Sequence, residues 1–311
     1  MRKQSILLLF ICILLSTVVY GNVQSGNPNI AMQLLQTVPD ARSCAMGNSY
    51  GAIGDDIYSM YYNPAGLAAI NHIELPYSRS HVDGDKVQEQ YGFAYGLKDA
   101  QAANIEDLGA FGATLNKLEM IDGTDKSQSI IIGYGKSIID DDGFGKLTMG
   151  ANAKYFDETS NEMTTHGMAY DAGVIWKYPH KNIFLDAAYS NFGSRFNDTI
   201  DLPANFRYGA GAKLFNEVLI VNVEENAPIN NRNYFTAGSE LTVFRSIALR
   251  AGYNSNLSSG KGITAGAGLK IEQLDVYFIF IREIDVDYFI MPWANPTGIQ
   301  RLSVNVKFGA D

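Results

Sequence analysis

The chain is poor in cysteine, in basic residues and in long apolar runs, and each shortage closes off a class of protein. Its 311 residues include two cysteines, Cys12 and Cys44. Cys12 lies in an apolar N-terminal stretch, so removal of that stretch leaves Cys44 alone. No internal disulfide is then possible, even in a compartment that permits one. Lys and Arg total 24 against 33 Asp and Glu, a formal charge of −9. The basic residues are scattered, and without a basic stripe nucleic acid is not a partner. Beyond the N-terminus no segment approaches the roughly 20 consecutive apolar residues of a membrane-spanning helix. The four histidines, His72, His81, His166 and His180, are dispersed and lack the paired spacing of a metal site. Gly145-Lys146 has neither the upstream glycine nor the following Ser/Thr of a phosphate loop, and Asp140-Asp141-Asp142-Gly143 reads as a solvated turn. With no nucleophile–base motif, the expectation is a non-enzyme without metal or cofactor.

Small and aromatic residues are plentiful: 30 glycines, 18 tyrosines and 12% aromatics, with only 18% charged residues. The mean hydropathy is nevertheless −0.07. At the N-terminus Arg2 and Lys3 precede an apolar run from Ile6 to Val19, after which polar Asn22, Gln24 and Ser25 follow. This pattern is that of a secretory signal peptide, 1–21, cut after Gly21. Its removal takes away Arg2 and Lys3, so the charge moves from −9 to −9 − 2 = −11.

From His72 onward the dominant period is two. In the last such run Leu302, Val304, Val306 and Phe308 share one face while Arg301, Ser303, Asn305 and Lys307 share the other. Fourteen runs alternate in this way, among them 71–80, 128–138, 146–158, 274–283 and 298–308. Their lengths cluster near the roughly 9–11 residues that a tilted strand needs to cross a bilayer. An open sheet edge within hydrocarbon would leave a row of backbone groups without partners, so a spanning sheet must close on itself. The expected fold is therefore all-β: a transmembrane up-and-down antiparallel barrel of about fourteen strands, occupying 71–308. Joints after the fourth, sixth, eighth, tenth and twelfth runs are short. Those after odd-numbered runs, such as 159–166, 193–203 and 284–297, are longer. That asymmetry assigns the short turns to the periplasm and both termini to the same side.

Residues 22–70 do not alternate. Ile30, Met32, Leu34, Leu35 and Val38 are spaced for one helical face ending at Pro39. Then come Ala41-Arg42, Met46-Gly47, Asp55-Asp56 and Tyr62-Asn63-Pro64-Ala65-Gly66-Leu67. This succession resembles the PorV/PorQ family of outer-membrane proteins, a branch of the FadL-like barrel superfamily, and the likeness runs over essentially the whole mature chain. The resemblance implies a fourteen-stranded barrel in a Gram-negative type outer membrane, with 22–70 folded into the lumen as a short helical hatch. It also implies outer-membrane lipid as surroundings. It implies cargo of one of two kinds: a hydrophobic, fatty-acid-like molecule passing a hatch-gated barrel, or proteins of a type IX-like secretion system bound by the loops.

The candidate site residues follow. In the hatch they are Arg42, Met46, Gly47, Asp55, Asp56, Asn63, Pro64, Gly66 and Leu67. Asp55, Asp56 and Asn63 either hold the plug against basic lumen residues such as Arg207 or Arg250, or serve only as local caps and turn formers. On the strands Asp171, Arg207, Glu240, Arg250 and Arg301 have the placement of lumen-facing polar groups. Finally, Tyr288, Phe289, Ile290, Met291 and Trp293 fall in the long joint 284–297, as an apolar outer rim for a ligand or partner, or as an aromatic girdle at the membrane interface.

Overall fold

Alternation produces the wall. In the computed structural model the described residues are 30–82, 85–97, 108–160, 163–229, 231–256, 262–276, 279–291 and 299–309. Fourteen strands, β1 Ile73–Val82, β2 Lys86–Gly96, β3 Ala110–Met120, β4 Asp125–Asp141, β5 Gly145–Ser160, β6 Met163–Lys177 and β7 Ile183–Phe192, then β8 Asn205–Leu214, β9 Leu219–Pro228, β10 Tyr234–Val243, β11 Ile247–Asn254, β12 Ile263–Val276, β13 Ile279–Met291 and β14 Ile299–Phe308, follow one another around the sheet. Each pairs antiparallel with its sequence neighbour, and β1 pairs with β14 from Ile73↔Phe308 to His81↔Gln300, which closes the barrel. No edge is left.

The two faces are inverted relative to a water-soluble protein. Leu75, Tyr77, Phe93, Ile132, Leu249, Tyr253 and Leu302 are exposed on the outside, while Glu74, Gln90, Asn152, Asp171, Asn222, Glu224 and Arg301 are buried within. An apolar exterior suits hydrocarbon, and a polar interior requires partners. The lumen provides them. Two short helices, α1 Ile30–Gln36 and α2 Ala41–Ala45, and two 3-10 turns, Ile57–Tyr61 and Pro64–Ala69, pack against the inner wall and are almost wholly buried.

Two expectations about the rims change. The joints 159–166 and 284–297 shrink because β5, β6 and β13 run on past the ends set by periodicity, and β4 reaches 17 residues. At about 3.3 Å per residue, strands of that length outreach a hydrocarbon core of roughly 30 Å even when tilted. Periodicity marks the buried part of a strand and says little about where pairing stops in water. Conversely, the β2–β3 joint lies on the short-turn rim and spans 97–109. The first described residue, Ile30, lies at the rim opposite the end of β14, and the expected N-terminus lies outside the described residues. Ile30 donates its N–H to Glu158 of β5 and Ile30 and Leu34 cluster with Val82 and Leu118, all at the end opposite Phe308. The segment 30–70 thus threads the lumen from the rim opposite the short turns, the outer mouth on the expected orientation, down to Ile73.

Candidate functional site

The lumen is closed around Arg42. Asp40 caps α2 by accepting from the N–H groups of Arg42 at 3.0 Å and Ser43 at 2.6 Å, which fixes the helix start and sends the Arg42 side chain toward the wall. Its guanidinium donates through Nε to Glu240 at 2.8 Å, and through Nη1 to Tyr50 at 2.6 Å, to Asp55 at 2.9 Å and to Asp56 at 3.3 Å. Glu240 is held from the other side by Arg250 at 2.6 Å, and Arg250 donates on to Asp287 at 2.7 Å. Lys213 joins Asp55 at 2.6 Å. Hatch and wall are therefore tied by a single chain of alternating charge: Lys213, Asp55, Arg42, Glu240, Arg250, Asp287. Such networks stabilise when every member is partnered and penalise the loss of any one.

Charge states within the hatch follow from these contacts. Burial opposes ionisation of Asp55, but Lys213 and Arg42 outweigh it and hold the carboxyl well below its ordinary range. Asp56 is buried with Arg42 its main opposing influence and the carboxylates Glu74, Asp55 and Asp40 nearby; burial wins and lifts it to about 8. Arg42 is held well above its ordinary value, since Glu240 and its neighbours outweigh the burial that opposes its charge.

Both readings of the hatch acids occur together, with different wall partners from those expected. Asp56 caps the first 3-10 turn by accepting from Tyr58 at 3.0 Å, and Asn63 caps the second by accepting from Ala65 at 3.1 Å. Asp55 reaches Lys213 on the wall, and the Asn63 amide donates to the Val174 carbonyl at 3.0 Å and to Asp186 at 3.3 Å. Arg250 and Arg207 do not bind them. Arg250 is taken by Glu240 and Asp287, and Arg207 lies over the Tyr62 ring at 4.9 Å with Glu224 at 4.0 Å. The physical reason is the sign of the central hatch residue: Arg42 is a base, so the wall must meet it with an acid.

Met46 and Gly47 press against β10 to β12. Gly47 takes φ +73°, and a side chain there would meet the backbone of Tyr253 and Ala237; on the wall, Gly238 and Gly252 leave room for Met46 and the Gly47 backbone. Pro64 and Gly66 belong to the second 3-10 turn, Gly66 packing on Ser59 and the Gly54 carbonyl, and Leu67 joins Ile57, Met60, Ile70 and Ile131 in an apolar cluster. All five strand candidates face inward. Besides Glu240, Arg250 and Arg207, Asp171 pairs with Lys154 at 2.8 Å. Arg301 donates to the Val38 carbonyl, to the Cys44 sulfur at 2.7 Å and to Gln88 at 3.1 Å.

Of the apolar residues expected in an outer loop, Tyr288 to Met291 are strand residues. Tyr288, Phe289 and Ile290 lie in β13, which ends at Met291; Tyr288 is exposed outside, and Phe289 faces in against Ala41, Cys44 and Ala45. The acids of the same stretch are lumen groups, Asp285 pairing with Lys307 at 2.8 Å and Asp287 with Arg250. The Met291 side chain and Trp293 lie outside the described residues.

Several anchors escaped the sequence reading. Glu224 accepts from the N–H groups of Tyr50 at 2.9 Å and of Gly51, and from Asn222 at 2.8 Å. Glu74 accepts from Ile57 at 2.9 Å and Asn305 at 3.1 Å, and Asn152 donates to the Met60 carbonyl at 2.7 Å. The available signal was their position on the polar face of an alternating strand.

At the short-turn rim a cavity of about 920 Å³ opens below the Arg42 network, lined by charged groups including Lys213, Lys270, Arg282, Glu283 and Lys307. At the outer mouth the closure is apolar instead: Ala31, Met32 and Leu35 of α1 pack on Phe156, Ala169, Phe196 and Leu202, the last two from the β7–β8 joint.

No protein-family model matches the chain, and no curated protein matches it in sequence. Solved structures do resemble it. The toluene transporter TodX of P. putida superposes with a TM-score of 0.53 at 12% identity, covering 88% of this chain and 100% of that one. A deltaS2 mutant of TodX, described as a monoaromatic hydrocarbon channel, gives 0.55 at 13% identity over 88% and 97%. The likeness is one of fold: this chain forms a closed fourteen-stranded antiparallel barrel with a short helical region ahead of its strands.

Proposed function

We propose that this protein is a non-enzymatic outer-membrane barrel that passes hydrophobic, fatty-acid-like molecules when its hatch yields. The observation that carries the reading is the way the lumen is closed. Its middle is locked by the Arg42–Glu240 network, while its outer mouth is closed by the apolar contact of Met32 and Leu35 with Phe156, Phe196 and Leu202. An apolar solute competes with that outer contact directly. A constant open pore is inconsistent with a lumen filled from Ile30 to Ile70. The export signal expected at 1–21, the apolar outer wall and the likeness to FadL-type barrels support an outer-membrane location, and TodX offers a hydrocarbon channel of like fold as analogy.

A second reading has its own support. The N-terminal motif resembles PorV/PorQ, and the large cavity is lined by charge and not by apolar groups. In that reading the barrel is a secretion-system accessory whose loops bind protein, and the lumen stays shut. Native mass spectrometry of detergent-purified protein separates the two: bound acyl chains and fatty-acid uptake by liposomes support transport, and co-purifying secretion proteins support the accessory. Steady ion conductance of the intact protein would overturn both.

A further inference from the structure

A second cavity, of about 290 Å³, lies under the outer rim between β7 and β11, apart from the Arg42 network. Its walls are unusual in composition. Six asparagines line it, from Asn48 to Asn256, and among the described residues Arg207 is the one charged group on its surface. Arg207 is 8% exposed, yet its Nε and Nη1 have no hydrogen-bond partner. Glu224 Oε2 stands 4.0 Å from Nη1, an ion pair too long for a hydrogen bond, and is itself without a hydrogen-bond partner, while Oε1 accepts three N–H donors. Asn205 Oδ1 and Asn226 Nδ2, also on β8 and β9, are buried without partners. A buried guanidinium with unused donors is costly unless something completes it.

We propose that this cavity binds a small polyhydroxylated carboxylate, the chemical class of a sugar acid. The unused donors of one planar guanidinium match the two oxygens of a carboxylate, and among the described lining residues no second base is present to balance a phosphate dianion. Side-chain amides both donate and accept, which matches hydroxyl groups, and Tyr61 and Tyr234 are among the lining residues. The volume admits a single ring. The asparagine-rich wall disfavours a fatty acid, so the site is independent of the transport reading.

Isothermal titration of the full-length protein in detergent tests this with three probes. D-glucuronate gives saturable binding; glucose, which lacks the carboxylate, and octanoate, which lacks the hydroxyls, bind at least about tenfold more weakly, the loss expected when charge-assisted or amide hydrogen bonds are unmade. Arg207→Lys keeps the charge beside Glu224 but loses the planar fork, and weakens glucuronate about tenfold. Asn205→Asp puts a negative charge in the cavity and weakens it too, which keeps the test decisive if the first variant does not assemble. Absence of glucuronate binding, equal binding of glucose or octanoate, or unchanged glucuronate binding in an assembled variant overturns the proposal.

Discussion

Replacing Arg42 with methionine is the sharpest test of the closed lumen. The substitution removes a guanidinium with hydrogen bonds to Glu240, Tyr50, Asp55 and Asp56, and leaves those acids in place. Asp55 keeps Lys213, and Glu240 keeps Arg250 at 2.6 Å. Asp56 loses the guanidinium that opposes the effect of its burial. Breaking a buried ion pair by deleting one partner costs about 3–5 kcal/mol. If that cost falls on the seated hatch, the equilibrium between seated and released states shifts by roughly a hundredfold to several thousandfold. Cys44 reports the shift. It lies in α2, it is 7% exposed, and burial raises its thiol to about 11 against the opposing influence of Arg301, so the seated form resists thiol reagents. Maleimide labelling of processed protein in detergent should therefore be slow in the wild type and faster by about two orders of magnitude in Arg42→Met, following the released population. Arg42→Met combined with Glu240→Met, which removes both charges, should label more slowly than the single variant. Equal labelling rates for wild type and Arg42→Met would refute the idea that this network holds the hatch.

Three other outcomes follow from the same geometry. Gly252→Ala places a methyl group on the Met46–Gly47 backbone, so the hatch loses its seat while the outer wall is untouched; the melting temperature falls and Cys44 labelling rises. The pH dependence has two arms. Asp56, lifted to about 8, prefers its protonated form when folded, so its contribution is full below the ordinary carboxylate range and is lost as pH rises toward 8. Asp55, held low, contributes above that range and loses its contribution under more acid conditions. Thermal melts from pH 4 to 9 should show Asp56→Asn flattening the alkaline arm only. Deleting residues 30–56 should turn a quiet barrel into one with steady conductance in planar bilayers, and a silent deletion variant would contradict a lumen closed by the hatch alone.

The wall was legible because alternation is forced by physics at every step: Arg301 in, Leu302 out, Ser303 in, Val304 out, as hydrocarbon and plug each select one side. The same rule stopped short at 284–297, expected as a long joint, whereas β13 runs to Met291 with Asp285 and Asp287 on its lumen side. A carboxylate inside a barrel and one in a loop are the same letter, and only the partners Lys307 and Arg250 tell them apart. In the hatch, local roles were readable and distant ones were not. Asp56 and Asn63 stand where turn chemistry wants a cap, and both cap. That Arg42 meets Glu240, 198 residues away, depends on register and on how deep the hatch sits, and no local spacing carries that information.

The inverted distribution of polarity explains why hatch and barrel need each other. The wall presents Glu74, Asp186, Glu224, Glu240, Arg250 and Asp287 to a lumen too narrow to solvate them freely once 30–70 is in place. Hatch backbone groups answer several of these: Ile57 N–H meets Glu74, and Tyr50 and Gly51 N–H meet Glu224. Those N–H groups sit in short helical turns and loops, segments with unsatisfied donors that would otherwise need water. Neither partner is satisfied alone, so release of the hatch requires water to enter as the ion pairs part. A gate of this kind opens cooperatively, since admitting water to one pair lowers the cost of hydrating the next. Substitutions at Arg42, Glu240 and Arg250 should consequently be less than additive in their effect on Cys44 labelling, whereas Arg42 and the outer-mouth residue Phe196, which share no partner, should combine additively.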